Sequence, residues 1–198
     1  MAEQVLDIVI ASTRPGRVGL PVARWIEERA RAHGGFLVEV ADLAEVGLPL
    51  FDEPHHPRLR RYEHEHTRAW SRTIDRADAF VFVMPEYNYG FNAALKNAID
   101  YLNVEWQYKP VGLASYGGVS GGTRAAQMIK QVVTTLKMYP LPEAVSIPFV
   151  ERLLGDDGVI APNAVMDEAL TVMLDELVVM ERALRPMRES VRGASAGS

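Results

Sequence analysis

Three short stretches of this chain carry residue types that can hold a small molecule. The first is Ser12-Thr13-Arg14-Pro15-Gly16-Arg17-Val18-Gly19, a run of hydroxyls, arginines and glycines directly before a helical pattern. At such a place unpaired N–H groups and the positive end of the helix dipole point into one small volume and favour an anion. The dipole contributes about 0.3 to 2 kcal/mol, and a guanidinium from Arg14 or Arg17 would add a charge-assisted bond. Helix capping accounts for Ser12 and Thr13 equally well. The second stretch, Pro85-Glu86-Tyr87-Asn88-Tyr89-Gly90-Phe91, puts aromatics, an amide and a carboxylate where a surface turn is usually small and polar, and it suits a flat ligand. The third, Ser115-Tyr116-Gly117-Gly118-Val119-Ser120-Gly121-Gly122, has four glycines in six residues. A ligand can approach so bare a backbone closely, although a flexible turn before a helix has the same composition.

Other chemistries are excluded by what is missing. The first stretch lacks both the Gly-Lys-Ser/Thr ending of a nucleotide P-loop and the Gly-x-Gly-x-x-Gly of a dinucleotide fold, so a phosphate monoester is the expected anion. A phospho-receiver site would need carboxylates at the strand ends, where this chain has Ser-Thr-Arg. There is no cysteine, which removes thiolate nucleophiles, thiolate metal sites and disulfides together. His55, His56, His64 and His66 lack metal-site spacing, because residues two apart fall on different sides of a helix; a solvated face accounts for them and no metal is expected. A net charge of -5 argues against a nucleic-acid partner. No apolar run reaches the roughly 18 residues of a membrane span and no signal segment is evident, so a soluble, cytoplasmic protein is expected.

The elements that position these stretches follow from periodicity. Continuous apolar runs predict buried strands over 5–11, 37–41, 79–84 and 110–116, with a short last strand over 144–148. Helical spacing predicts helices over 18–33 (Val22, Trp25, Ile26 and Arg29 on one face), 58–76 (Tyr62, His66, Ala69, Trp70 and Ile74 inward), 123–138 and 163–184. Another helix is expected to start at an Asn92 cap and end at Leu102. Residues 42–57, with three prolines, read as a loop, and 149–162 as a loop or hairpin with Gly155-Asp156-Asp157-Gly158 at its turn. The last helix is apolar over more than one stripe, which predicts burial against the sheet and against another subunit. With 198 residues, 48% hydrophobic and 24% charged, one domain over 1–190 and a disordered tail over 191–198 are expected.

Alternation of strand and helix is the mark of a doubly wound α/β fold. The expected architecture is a flavodoxin-like five-stranded parallel sheet in the order 2-1-3-4-5 with helices on both faces. That order makes the first, third and fourth strands neighbours, so all three stretches leave one carboxyl edge, where ligands of such sheets bind. An anion site, an aromatic surface and an open backbone together describe a phosphate joined to a flat heterocycle.

Met84-Pro85-Glu86-Tyr87-Asn88 followed by Leu95-Lys96-Asn97-Ala98-Ile99-Asp100, supported by Ala11-Ser12-Thr13-Arg14 and Ser115-Tyr116-Gly117-Gly118, resembles the NADPH-dependent FMN reductases, a flavodoxin-like family that includes quinone, chromate and azo-compound reductases. The resemblance covers roughly residues 5–150. It implies FMN as cofactor and NADPH or NADH as co-substrate. Ser12, Arg14, Arg17, Val18 and Gly19 would surround the FMN phosphate; Pro85, Glu86, Tyr87 and Asn88 would line the isoalloxazine through backbone groups; Ser115, Tyr116, Gly117 and Gly118 would close the other side. N–H groups at Tyr87 to Gly90 and at Gly117-Gly118 would stabilise negative charge on the reduced ring. No catalytic side chain is implied. The acceptor would be a small molecule such as a quinone, a flavin, an azo compound or a metal oxyanion, and the assembly a homodimer or homotetramer. An FMN-bound electron carrier or flavin sensor without NAD(P)H activity is the alternative.

Overall fold

The structure, a computed structural model, describes residues 4–196, with side chains through residue 193. In chain order the elements are β1 (Val5–Ile10), α1 (Gly19–His33), β2 (Leu37–Asp42), a short α2 (Leu43–Val46), α3 (Glu65–Arg76), β3 (Ala79–Pro85), α4 (Ala93–Asp100), β4 (Pro110–Tyr116), α5 (Thr123–Thr135), β5 (Tyr139–Ile147) and α6 (Ala164–Ala196), with 3-10 turns at Pro57–Leu59, Val104–Trp106 and Val150–Leu153. The five strands are all parallel and ordered β2-β1-β3-β4-β5, as expected from the alternation of elements and the family resemblance. Every residue of β1, β3 and β4 is buried, which is why those strands read as unbroken apolar runs.

Side chains alternate across the sheet and build two cores. Leu6, Ile8, Ile10, Val81 and Val83 pack with α1 and α6, while Val9, Phe80, Phe82 and Met84 pack with α3, α4 and α5. Each face therefore clamps the sheet, and the carboxyl ends of β1, β3 and β4 are held side by side.

Several boundaries differ from those the sequence pattern predicts. β5 runs over nine residues and includes Pro140 and Pro142, which an edge strand tolerates because only one side carries a ladder. Its register with β4 shifts between Val111 and Leu113. α3 starts at Glu65 and not near residue 58. Arg60 adopts φ 50, ending the preceding 3-10 turn, and the Glu53 carboxylate accepts the N–H groups of Glu63 (2.8 Å) and His64 (3.0 Å) just before the helix. Its buried face is Thr67, Trp70, Ser71 and Ile74; Ala69 is exposed, and Tyr62 and His66 are half-buried. On α1, Ala30 and not Arg29 completes the buried face, and Arg29 instead pairs with Asp167 (2.6 Å). α5 stops at Thr135, and Lys137 at φ 56 turns the chain away.

α6 continues past residue 184 through Ala196, into the segment expected to be a disordered tail; residues 197 and 198 lie outside the described residues. Charge fixes the extension. Arg188 is buried and donates to Asp78 Oδ1 (2.8 Å), Glu181 Oε1 (2.9 Å) and the Tyr108 carbonyl (3.1 Å), and Arg192 reaches Asp75 (2.7 Å). The outer side of α6, with Val165, Val172 and Val179, is exposed in the single chain.

The amino edge of the sheet holds further buried charge. Lys109 is fully buried, and its Nζ donates to the carbonyls of Ile74 (2.6 Å) and Asp75 (3.1 Å) at the end of α3, where the helix dipole favours a cation. Asp7, in the middle of β1, is 1% exposed, and its Oδ1 has no hydrogen-bond partner. Burial, aided by the nearby Glu39, pushes its carboxyl up to about 7 against the pull of Arg76 and Lys109. The unfolded chain ionises this group at its ordinary value near 3.8, so the stability Asp7 contributes falls as pH rises from there to about 7 and then levels off. Asp7→Asn cannot ionise. Its melting temperature relative to the parent is therefore expected to climb between about pH 4 and pH 7, by an amount worth up to a few kcal/mol, and to stay flat above; thermal melts of both proteins across that range check this, and parallel curves would refute it.

Candidate functional site

Because β1, β3 and β4 are adjacent, their carboxyl-end loops converge on one cavity of about 410 Å³. Of the residues singled out in the sequence, Ser12, Arg14, Arg17, Val18, Pro85, Glu86, Tyr87, Tyr116, Gly117 and Gly118 line it. Gly19, Asn88 and Ser115 do not line it but support residues that do. Phe149, Val150, Glu151 and Arg152, from the turn after β5, form a further wall; they open the segment expected to be a loop or hairpin, in which Leu154 and Ile160 form an antiparallel bridge.

The turn before α1 is built around Arg17. Its guanidinium donates to the Ser12 carbonyl (2.7 Å) and pairs through both terminal nitrogens with Asp42, one bond at 2.8 Å. Asp42 Oδ1 also accepts the Ala44 N–H (3.0 Å), so a single ion pair joins the loop after β1, the end of β2 and the start of α2. Arg14, in contrast, is exposed and forms no ion pair among the described residues. Capping does not explain the hydroxyls here. No side chain caps α1, no acid stands in its first turn, and Ser12, 1% exposed, has its Oγ 3.1 Å from the Tyr87 hydroxyl. In the first turn of α1, Val22 N–H donates to the Val18 carbonyl (3.3 Å) and Pro21 has no N–H, while the N–H groups of Gly19 and Leu20 have no acceptor among the described residues.

After β3 the chain closes a tight turn. Tyr87 N–H donates to the Gly90 carbonyl (2.8 Å) and Gly90 N–H donates to the Tyr87 carbonyl (3.0 Å), with Asn88 at φ 50 and Tyr89 at φ 72 between them. Two positive φ values in succession give a type I′ geometry, which an aromatic residue adopts only at a cost of about 1 to 2 kcal/mol. Glu86 holds the turn in place. Its N–H donates to the Tyr116 carbonyl (3.0 Å), and its carboxylate accepts Ser120 Oγ (2.9 Å), Arg124 N–H (3.1 Å) and Arg124 Nε (2.7 Å). Burial opposes its ionisation, but these bonds and the Arg124 charge outweigh burial and keep the carboxyl below its ordinary range. The Arg124 guanidinium in turn stacks on Tyr89, 3.9 Å from the ring centroid. Asn92 occupies the cap position of α4 but does not cap it. Its Nδ2 donates instead to the Ala11 carbonyl (2.6 Å), tying this loop to β1.

The glycine loop after β4 is pinned rather than slack. Ser115 Oγ donates to the Gly121 carbonyl (3.0 Å), and Gly117 N–H donates to Ile147 (3.3 Å). Gly122 has φ 84, and a Cβ there would meet Ser115 Cβ at 2.6 Å and Tyr116 N at 2.7 Å, so no other residue fits. The Tyr116 hydroxyl is buried without a hydrogen-bond partner, and burial pushes its pKa up. Gly19 makes room for it: a Cβ at Gly19 would stand 2.5 Å from that oxygen. Of the N–H groups expected to face a reduced ring, those of Tyr87, Gly90 and Gly117 are taken by internal carbonyls, while Asn88, Tyr89 and Gly118 have no acceptor among the described residues, and of these three only Gly118 lines the cavity.

The histidine segment lies apart from this cavity. His64 precedes α3 in extended conformation, so the helical spacing argument does not apply to it, and its ring stacks on His66 (5.1 Å). His66 Nε2 lies 3.0 Å from Asp52 Oδ1, which also accepts the Tyr101 hydroxyl (2.9 Å). Among the described residues no three His, Asp or Glu side chains gather as a metal site, and no helix is long and apolar enough to cross a membrane.

Comparison with known proteins places this geometry. Residues 5–152 match the family model described as NADPH-dependent FMN reductase. The chain is 42% identical over 137 residues to an NAD(P)H-dependent FMN reductase of Schizosaccharomyces pombe, covering 68% of each chain. It is 32% identical over 149 residues to a quinone reductase of Pseudomonas putida, covering 69% of this chain and 74% of that one. Its fold matches the flavoenzyme NAD(P)H:(acceptor) oxidoreductase of Paracoccus denitrificans with a TM-score of 0.72 at 21% identity, over 92% of this chain and 99% of the other. With the family model spanning the loops after β1, β3 and β4 that line the cavity, the chain belongs to the NADPH-dependent FMN reductase family.

Proposed function

We propose that the cavity at the carboxyl edge holds FMN and that the protein is an NAD(P)H-dependent oxidoreductase acting on a small acceptor such as a quinone, a flavin, an azo compound or a metal oxyanion. The observation that carries this reading is the uncapped N-terminus of α1 with the unpaired Arg14 at one end of a cavity whose other end is bare glycine backbone. The fit extends to atoms that lack an internal partner. The buried Tyr116 hydroxyl and the free N–H group of Gly118, both at the cavity, suit a ligand that offers phosphate, hydroxyl and carbonyl oxygens.

In this reading Arg14, Ser12 and the backbone at Val18 and Gly19 hold the phosphate. Arg17 acts one step back, by fixing the loop that carries them. The Tyr87 hydroxyl, already beside Ser12, belongs to the phosphate end, a side-chain role in place of the backbone role expected of it. Pro85 to Asn88 and Ser115 to Gly118 bound the ring. When bound, FMN supplies the chemistry by accepting a hydride from NAD(P)H and passing two electrons to the acceptor. The protein supplies position and N–H donors, and no side chain need exchange a proton. A homodimer or homotetramer is part of the proposal, supported by the exposed apolar side of α6, and a cytoplasmic location fits the use of reduced nicotinamide.

The reading is tested by adding NADPH anaerobically to the FMN-loaded protein. Rapid bleaching of the flavin absorbance is expected, and a flavin that stays oxidised would leave a carrier or sensor. Arg14→Ala is expected to weaken FMN binding by about tenfold or more, the worth of a charge-assisted bond, in a fluorescence titration of the apoprotein. Tyr116→Phe should act with opposite signs on two measurements. Removing a buried hydroxyl with no partner raises the melting temperature of the apoprotein, by about 1 kcal/mol of stability, while FMN affinity falls several-fold; a loss of both would mean that the hydroxyl already has an internal partner.

A further inference from the structure

Four arginines stand in or beside the cavity, and two of them are already committed. Arg17 is bound to Asp42 and Arg124 to Glu86. Arg14 and Arg152 form no ion pair among the described residues, and they stand on opposite walls. Arg14 leaves the sheet after β1 and Arg152 after β5, with β3 and β4 between. At about 4.8 Å per strand the two loops emerge roughly 14 Å apart. A phosphate monoester at the N-terminus of α1 takes Arg14 and leaves Arg152 without an anion.

The Arg152 side chain is exposed and lies over an aromatic ring, while its backbone is bonded into the turn. Its guanidinium carbon lies 4.3 Å from the centroid of the Phe149 ring, and its N–H donates to the Phe149 carbonyl (2.9 Å). Phe149 sits at φ 48, a conformation that disfavours an aromatic residue. It is kept there by bonds to the glycine loop, Phe149 N–H to Gly118 (3.0 Å) and Val150 N–H to Gly117 (3.3 Å). The same loop forms the ring end of the cavity. A backbone strained in this way holds a planar cation and an aromatic face at the mouth, next to Glu151, which makes no ion pair with Arg152.

Resting on the flavin reading above, we propose that Arg152 on its Phe149 platform recognises the 2′-phosphate of NADPH, so that this turn sets the choice between NADPH and NADH. A dinucleotide that reached the flavin from the open mouth would leave its adenosine end outside the cavity, where Arg152 stands. There the guanidinium would take a terminal phosphate dianion in a planar, forked contact, as arginines do for the adenosine 2′-phosphate in other folds. The neighbouring Glu151 carboxylate suits the 2′-hydroxyl of NADH instead, and it tempers the preference.

The test uses the FMN-loaded protein and its Arg152→Ala, Arg152→Lys and Glu151→Gln variants. Calorimetric titration with 2′,5′-ADP and with ADP is combined with steady-state kinetics on NADPH and NADH. The parent is expected to bind 2′,5′-ADP more tightly than ADP. In Arg152→Ala that difference disappears, KM for NADPH rises about tenfold with a smaller change in kcat, and the NADPH-to-NADH ratio of kcat/KM falls by a similar factor. Arg152→Lys retains part of the preference, and Glu151→Gln raises the ratio. An unchanged ratio in Arg152→Ala, or an equal loss with both nucleotides, overturns the inference. So does a loss of FMN affinity with the ratio intact, since Arg152 would then serve the FMN phosphate. A parent protein that takes up no FMN overturns the flavin reading and this inference together, whereas a loaded, active protein with an unchanged ratio overturns the inference alone.

Discussion

The guanidinium of Arg17 sits where three backbone segments meet, and the rest of the site depends on it. By donating to the Ser12 carbonyl and pairing with Asp42, it fixes the turn after β1 against the end of β2. Both partners are largely buried, so the pair escapes the screening that makes surface ion pairs weak. The turn could have been fixed by an ordinary cap, a Ser or Thr oxygen on the first N–H groups of α1. That would have filled the volume an anion needs. An arginine reaching backward holds the loop from the side and leaves the helix end open.

The same division between groups that hold and groups that wait runs through the other loops. Glu86 binds Ser120 and Arg124 and so joins the loops after β3 and β4; Ser115 braces Gly121; Asn92 reaches back to Ala11. Each of these polar side chains would be a candidate ligand contact by residue type alone. Their internal bonds make them supports. What they hold is strained or bare backbone, the Asn88-Tyr89 turn, Gly122 and Phe149, all with positive φ. Strained conformations persist only where the surroundings over-determine them, and here the hydrogen bonds around the cavity do so.

This division also explains what could be read from the sequence. β1, β3 and β4 are buried on both faces, so their apolar runs are unbroken, and the loops that follow them stood out against that background. β5 is an edge strand, half exposed and carrying two prolines; its pattern is weak, and with its start misjudged the turn at 149–152 had no anchor in the reading. Arg14 and Arg17 look alike in sequence. What separates them is Asp42, which lies 25 residues beyond Arg17 and meets it only because β2 pairs with β1. The start of α3 is misplaced for a related reason: periodicity treats residues 58–76 as one helix, and the Glu53 contacts just before its true start are not local.

The two edges of the sheet treat polar groups in opposite ways. At the amino edge Lys109, Arg188 and Glu181 are enclosed and Asp78 is half-buried, and each finds its partners within the chain. At the cavity on the carboxyl edge the Tyr116 hydroxyl, the Arg14 and Arg152 side chains and the Gly118 N–H have none among the described residues. An unpartnered polar group facing a cavity can be satisfied by a ligand; one inside a core cannot. Burial without a partner is not confined to that edge: Asp7 Oδ1, Thr67 Oγ1, His33 Nδ1 and Glu143 Oε2 also lack one among the described residues, and none of these residues lines the cavity; of these Asp7 is the one buried in the middle of the sheet. The remedy left to it is protonation, and its raised pKa is the form that remedy takes. Lack of a partner therefore marks a binding function only where solvent or a ligand can reach, and that condition confines the functional reading to the carboxyl edge.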